Sequence, residues 1–553
     1  MPSSHPMHSS TQTSSYPRAL SHLGANGGES VTNSASPMGA SVSFAYANAP
    51  TTSNPTANFE PSSSTDTQSN ATAYTYNGAG NLASAKNALA AVASVAYNSD
   101  GTVKSSTDPK NGTNSTTYAY NSDHQLTSIT PPTGNELAIH TFSYDADGRR
   151  TATFFNTVTG NTTWAARTLT TYDKSGRITR ITTALNSSPG DLVLDTSYCY
   201  SPFVSGQSCP TASASTDTGL LQYSTNNMTG TVSVYSYDNG NRLTKATNVA
   251  GHTFAYTYDS DGNRTSVKID GTTTQSLTYN SANQISSSGY AYDGAGNMTA
   301  VPGGTSYSYN AAEQMSSSTV SGTTSGHVYA GTGERELTSA GSNQFVWGRN
   351  DHYGQPWLQS FNTGGQSQVY AEHDGFGTPL GLHNAGNDFY LVLDNLGSVV
   401  AVVNTAGTVV ARYSYDPYGN LASVDESGLS QPNIVRYTGG AFDQATGLTK
   451  LGQRYYDPVI GAFTQPDASQ LLASPQNGNL YAYAGDSPAT YTDPTGMWSW
   501  PSFLFAAVVG YFTGTICWAV SAAAAPETAG GSLGLAAVCA VVPGAIIGGI
   551  AGR

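Results

Sequence analysis

Apolar and polar positions alternate with a period of two through most of this chain. The recurring unit is aromatic-x-Tyr, then Asp or Asn, then two or three small residues, then Gly-Asn/Arg-x-Leu-Thr. It is clearest at Tyr74-Thr-Tyr-Asn with Gly80-Asn81-Leu82, Phe142-Ser-Tyr-Asp with Gly148-Arg149, Tyr235 to Leu243, Tyr256 to Arg264 and Tyr290 to Met298. Weaker copies start at Tyr118, Thr171, Thr278 and Tyr307. In a strand, residues i and i+2 share a face, so Tyr-x-Tyr aims two rings the same way. The Asp-x-x-Gly-Asn that follows supplies turn-forming side chains and residues tolerant of positive φ. Each unit therefore predicts a β-hairpin. One hairpin cannot bury its ring face, but stacked hairpins can. The expected fold is mainly β: stacked hairpin repeats over about 71–425, forming one long curved or spiral sheet with few helices.

The pattern changes at both ends. Residues 1–70 are rich in Ser, Thr, Pro and Asn without periodicity, which predicts a disordered or irregular segment. Residues 503–524 and 533–551 are two unbroken apolar runs joined by Pro526 to Gly531. Each is long enough for a bilayer-spanning helix of about 20 residues. Gly510-x-x-x-Gly514, Gly544-x-x-x-Gly548 and Gly548-x-x-x-Gly552 are close-packing spacings for such helices. The tail thus predicts an apolar helical hairpin. A membrane-active cargo, a membrane anchor, a packing element inside the fold and the vestige of a truncated effector all fit it. Within the array, 399–403 and 408–413 read as strands joined by a turn at Asn404 to Gly407.

Composition narrows the chemistry. Only 10% of residues are charged and the net charge is −14, which argues against a nucleic-acid partner. In 498–553 the only charges are Glu527 and Arg553, and there is no His. That tail lacks the groups a nuclease, deaminase or ADP-ribosylating domain needs. His residues are scattered without metal-ligand spacing, so no metal and no cofactor is expected. Asp145-x-Asp147-Gly and Asp259-x-Asp261-Gly place Gly too early for an EF-hand and read as repeat turns. Cys199 and Cys209 flank a short loop and are either a local disulfide of an exported protein or two free thiols. Cys517 and Cys539 read as small hydrophobes of the tail. The N-terminus lacks the basic start and apolar run of a signal peptide. A cytoplasmic protein, export by a signal-independent machine, and the C-terminal piece of a longer protein are all compatible with that.

The repeats resemble the RHS/YD-repeat family, whose units read roughly YxYDxxGN/R. From Arg436 the chain reads RYTGGAFDQATGLTKLGQRYYDPVIGAFTQPD and then NLYAYAGDSPATYTDPTGM. This is similar to the RHS-repeat-associated core domain of polymorphic toxins and of Tc-toxin C components. The resemblance implies four segments: an entry (1–70), repeats (71–384), a core (385–497) and a variable tail (498–553). It implies a large hollow β-shell and a core with an aspartyl autoprotease that cuts after its Asp-Pro-x-Gly-Leu motif. Mapped by motif, the catalytic residues are Arg454, Asp467 and Asp493, and the bond is Met497–Trp498. This chain departs from the pattern at Met497 (usually Leu), Ala468 (usually Pro) and Ala462 (usually Arg).

Taken without the resemblance, the same residues have plainer readings. Asp493-Pro494-Thr495-Gly496 is a good type I turn, and Arg454 suits an ordinary ion pair. Two Asp close enough to share a proton, with an Arg to orient them, would also suit peptide hydrolysis. The leading expectation is an RHS-type toxin carrier that encloses and releases a short C-terminal cargo. Its partners would be a shell-closing or delivery protein, an immunity protein, and a membrane reached through the tail. The alternatives are a non-enzymatic, membrane-anchored surface or adhesion protein whose repeats bind glycans, and an inactive fragment of a larger toxin.

Overall fold

The computed structural model describes residues 21–22, 31–35, 41–46, 48, 60–496 except for short internal stretches, 500–501, 517–518 and 538–539. The stretches left out of 60–496 are 67–70, 87–91, 108–114, 132–138, 159, 207, 210–216, 312, 330–336, 351–355, 375–376, 385 and 468–477. The described chain is two long antiparallel meanders. A 21-stranded sheet runs to Thr272–Ser276, and a 14-stranded sheet runs from Ala291–Tyr292 to Leu421–Asp425. Each strand pairs with its sequence neighbour, as hairpin repeats require.

One repeat shows how the sequence builds the ladder. His252–Tyr258 pairs with Arg264–Ile269, with an irregularity in register between Thr257 and Tyr258. Tyr256 is buried on the inner face, while Thr257 is exposed. Asp259 closes the hairpin: its Oδ1 accepts the backbone N–H of Asp261 at 3.0 Å and of Asn263 at 2.9 Å. Asp145 does the same with Asp147 and Arg149. These carboxylates are occupied as turn caps.

A second device joins one repeat to the next. In several units the second Tyr donates its hydroxyl to a backbone carbonyl in the preceding repeat, while in the unit from Tyr290 the Tyr292 hydroxyl accepts the Ile285 amide at 3.1 Å. Tyr97 reaches Leu82 at 3.0 Å, Tyr144 reaches Leu126 at 2.8 Å, Tyr258 reaches Leu243 at 2.6 Å and Tyr415 reaches Val399 at 2.9 Å. Where the turn carries Arg, the guanidinium binds its own Asp and reaches forward. Arg242 holds Asp238, donates to the Asp259 carbonyl at 2.7 Å and lies over the Tyr258 ring. Where it occurs, the clasp packs a ring against the neighbouring repeat and bonds its polar tip to that repeat's backbone.

The two sheets pack face to face. Phe142, Phe155 and Val193 of the first share a core with Leu380, Tyr390 and Val403 of the second. The Arg150–Asp374 ion pair and the His140–Glu372 contact at 2.7 Å join the same two faces. Cys199 and Cys209 form a disulfide.

The N-terminal end differs from expectation. Val31–Ala35, Ser41–Ala45 and Ser63–Asp66 extend the first sheet, so the ladder starts before residue 71. These strands are Ser- and Thr-rich, and pairing with a neighbour supplies what their weak apolar pattern does not. The helical hairpin over 503–524 and 533–551 lies almost wholly outside the described residues. Within those runs Cys517–Trp518 pairs antiparallel with Val538–Cys539. Among the described residues, no helix is long and apolar enough to cross a membrane.

Candidate functional site

After the second sheet ends, the chain turns back as a compact segment on the repeats. Four short strands, Ala441–Phe442, Thr449–Leu451, Arg454–Asp457 and Ala462–Phe463, form a small antiparallel sheet. Tyr437, Tyr456, Phe463 and Tyr483 make its core, with the Tyr456 and Tyr483 rings 4.3 Å apart. The segment is held to the repeats by hydrogen bonds between groups far apart in sequence. Tyr481 donates to the Gly296 carbonyl at 2.7 Å, Asn479 to Asn263 at 2.9 Å, and the Leu221 amide to Thr490 Oγ1 at 3.0 Å. Arg264 Nη2 donates to the Val459 carbonyl at 2.7 Å.

On this frame Arg454, Asp467 and Asp493 come together. Arg454 Nη2 donates to Asp467 Oδ2 at 3.1 Å and to Asp493 Oδ2 at 3.2 Å. Its Nη1 donates to the Leu480 carbonyl at 2.9 Å, and its guanidinium lies 3.6 Å from the centroid of the Phe463 ring. Burial holds the Arg454 guanidinium below its ordinary pKa, opposed first by the charge of Asp493 and then by that of Asp467. The two carboxylates differ in access. The Asp493 side chain is 3% exposed and that of Asp467 is 15% exposed. Burial also pushes the nearby Tyr483 phenol up, and the charge of Asp493 adds to this.

The Asp493 turn is seated against the corner that precedes Arg454. The Gly496 N–H points to the Asp493 carbonyl at 3.4 Å, and Thr495 Oγ1 donates to Asp493 Oδ1 at 3.1 Å. Gln453 N–H donates to the Thr495 carbonyl at 3.1 Å. Gly452 has φ +49°, and a Cβ there would lie 2.1 Å from the Thr495 oxygen; one on Gly496 would lie 2.5 Å from the Leu451 oxygen. Only hydrogen fits at this contact of two backbones. Met497 and Trp498, the expected scissile pair, lie outside the described residues, as does Ala468.

The resemblance to the RHS-repeat-associated core pointed to Arg454, Asp467 and Asp493. It did not point to Phe463 beneath the guanidinium, Leu480 as its acceptor, or Gly452 as the seat of the turn. Nor did it point to Gln465, whose Oε1 accepts the Tyr455 amide at 3.1 Å and steadies the loop leading to Asp467. Nothing in local sequence marks these contacts, because each joins segments that meet only after folding. Among the described residues, no cluster of His, Cys, Asp and Glu is arranged to hold a metal ion.

Clasped β-hairpins in two long meanders, with a C-terminal segment folded back on them, define a YD-repeat β-shell. The Teneurin YD-shell family matches residues 220–489, and the RHS Repeat family matches 97–136 and 120–159. The chain belongs to the RHS/YD-repeat shell proteins. A tRNA3(Ser)-specific nuclease WapA of Bacillus spizizenii is 28% identical over 298 residues, which is 51% of this chain and 12% of the relative. Salivary gland surface protein 1 of Aedes aegypti is 42% identical over 121 residues, covering 21% of this chain and 3% of the relative. The chain therefore spans only a small part of these curated relatives. Among solved structures, the Tc holotoxin pore of Photorhabdus luminescens matches 86% of this chain and 27% of its own, at 18% identity and a TM-score of 0.53. That likeness concerns the fold.

Proposed function

We propose that this chain is a toxin-type carrier that cuts itself between Met497 and Trp498, using Arg454, Asp467 and Asp493, and so frees residues 498–553. The observation that carries the reading is the convergence of two carboxylates on one buried guanidinium nitrogen. Peptide hydrolysis by carboxyl groups needs two of them close together with divided roles, one ionised and one protonated. The ionised carboxylate takes a proton from water as its oxygen attacks the Met497 carbonyl carbon. The protonated one gives its proton to the Trp498 nitrogen as the C–N bond breaks. The products are a carboxyl at Met497 and an amine at Trp498. Asp493 lies four residues before the bond, in a turn already seated against the Arg454 corner.

The names of the relatives, a nuclease and a toxin complex, agree with a toxin carrier. The released piece has no His and only Glu527 and Arg553 as charges, so its proposed target is a membrane, entered as a pair of apolar helices. A shell-closing or delivery protein and an immunity protein are the proposed partners. The test is the mass of purified protein. Wild type is expected to lose the 56-residue tail, while Asp467→Asn and Asp493→Asn remain whole. A wild type that stays intact overturns the cleavage and leaves a non-enzymatic shell, with the tail as anchor.

A further inference from the structure

Lys450 is a buried cation outside the candidate triad, and it stands directly behind the Arg454 corner. It lies in Thr449–Leu451, paired with Arg454–Asp457. Its Nζ sits 5.8 Å and 5.5 Å from the Tyr329 and Tyr455 ring centroids and donates to the Gly452 carbonyl at 2.6 Å. That carbonyl belongs to the Gly452–Gln453 peptide. The N–H of the same peptide donates to the Thr495 carbonyl at 3.1 Å. One peptide unit thus lies between a buried ammonium and the turn that carries Asp493. A charged donor on a peptide oxygen polarises the group and strengthens its N–H as a donor. It also fixes the plane of a peptide whose Gly452 Cα has almost no room against Thr495.

We infer that Lys450 is a positioning residue for the self-cleavage proposed above, and the inference rests on that reading. It acts through the Gly452–Gln453 peptide to hold the Asp493–Gly496 turn, and so the chain leading to the scissile bond, against Arg454. It touches neither the carboxylates nor the bond. Small misplacements of a reacting group cost about 10²-fold in rate, so loss of this charge should slow cleavage without dismantling the shell.

The experiment follows tail release over time after cell-free synthesis of the full chain. Lys450→Met keeps the volume and removes the charge; Lys450→Arg keeps the charge. Release is expected to slow about 10- to 100-fold in Lys450→Met and to recover in Lys450→Arg. A second measurement does not need cleavage. In the uncut Asp467→Asn chain, adding Lys450→Met should speed hydrogen exchange of the Gln453 amide while amides of His252–Tyr258 keep their protection. Wild-type release together with a protected Gln453 amide in Lys450→Met overturns the inference. An uncut wild type with a deprotected Gln453 amide overturns the cleavage reading and keeps the hold of Lys450 on the turn.

Discussion

The Tyr144 hydroxyl donates to the backbone oxygen of Leu126 at 2.8 Å, so the second ring of one repeat is tied to the second strand of the repeat before it. The same tie recurs from Tyr97 to Tyr415, which makes it a property of the repeat. Tyr144→Phe removes the donor and keeps the ring. The expected loss is about 1 kcal/mol, the usual net worth of such a bond. It should be local, because the bond removed joins two adjacent repeats. Hydrogen exchange should show it at Leu126–Thr130 and His140–Tyr144, with Thr231–Tyr237 unchanged.

That tie also marks how far the sequence could be read. Tyr-x-Tyr and the Asp turn are local, so the hairpin was legible from period and turn chemistry. The acceptor of the Tyr258 hydroxyl is Leu243, and that contact depends on how consecutive hairpins lie side by side. The motif pattern flagged Arg454, Asp467 and Asp493 because similar proteins share it; turn propensity alone would have left Asp493 a turn former, and the structure has it doing that too. Lys450 and Phe463 escaped notice because their roles come from long-range packing. The strand at Ser63–Asp66 escaped because Ser-Ser-Thr-Asp carries no apolar alternation; its partners at Ser41–Ala45 and Ala71–Tyr76 impose the strand.

Gly452 tests the seat of the Asp493 turn. Gly452→Ala puts a methyl 2.1 Å from the Thr495 oxygen at a φ of +49°. Gly447 has φ +75° and nothing within 4 Å of an added Cβ. Gly447→Ala should cost only the left-handed strain, about 1–2 kcal/mol. Gly452→Ala should cost more, and should also stop tail release, since the turn cannot stay against Arg454. Thermal melts and intact mass on the two variants separate strain from seating.

Asp486 gives the pH dependence a sign. Burial pushes its carboxyl up to about 7, opposed by Arg264 and Arg242 and reinforced by Asp238 and Asp259. In the unfolded chain it titrates near 4 (about 3.9). Between those values the folded state holds a proton that the unfolded state has released, so stability falls as pH rises from about 4 to about 7. Above that window the cost is constant, on the order of 4 kcal/mol. Burial pushes Asp394 up to about 6, with the same sign. Asp486→Asn should therefore stabilise the protein at pH 8 and do little at pH 4. Asn also tolerates the φ of +59° at this position. Urea unfolding at the two pH values reads the difference; equal effects at both would refute the assignment.

Arg454 is the last and most demanding case, because it is both structural and proposed to be catalytic. Arg454→Met removes the guanidinium that binds Asp467 and Asp493 and leaves two carboxylates in a largely buried site. Breaking a buried pair this way costs about 3–5 kcal/mol. Adding Asp467→Asn and Asp493→Asn to Arg454→Met should restore much of the loss at neutral pH, because the triple variant buries no charge at this point. Arg454→Lys keeps a cation but cannot hold two carboxylates and the Leu480 carbonyl in one plane. It should recover part of the stability while tail release remains slow. Stability tracking charge, with cleavage tracking the planar fork, would separate the two roles. If Arg454→Lys matched wild type in both, the fork would have no part in the chemistry.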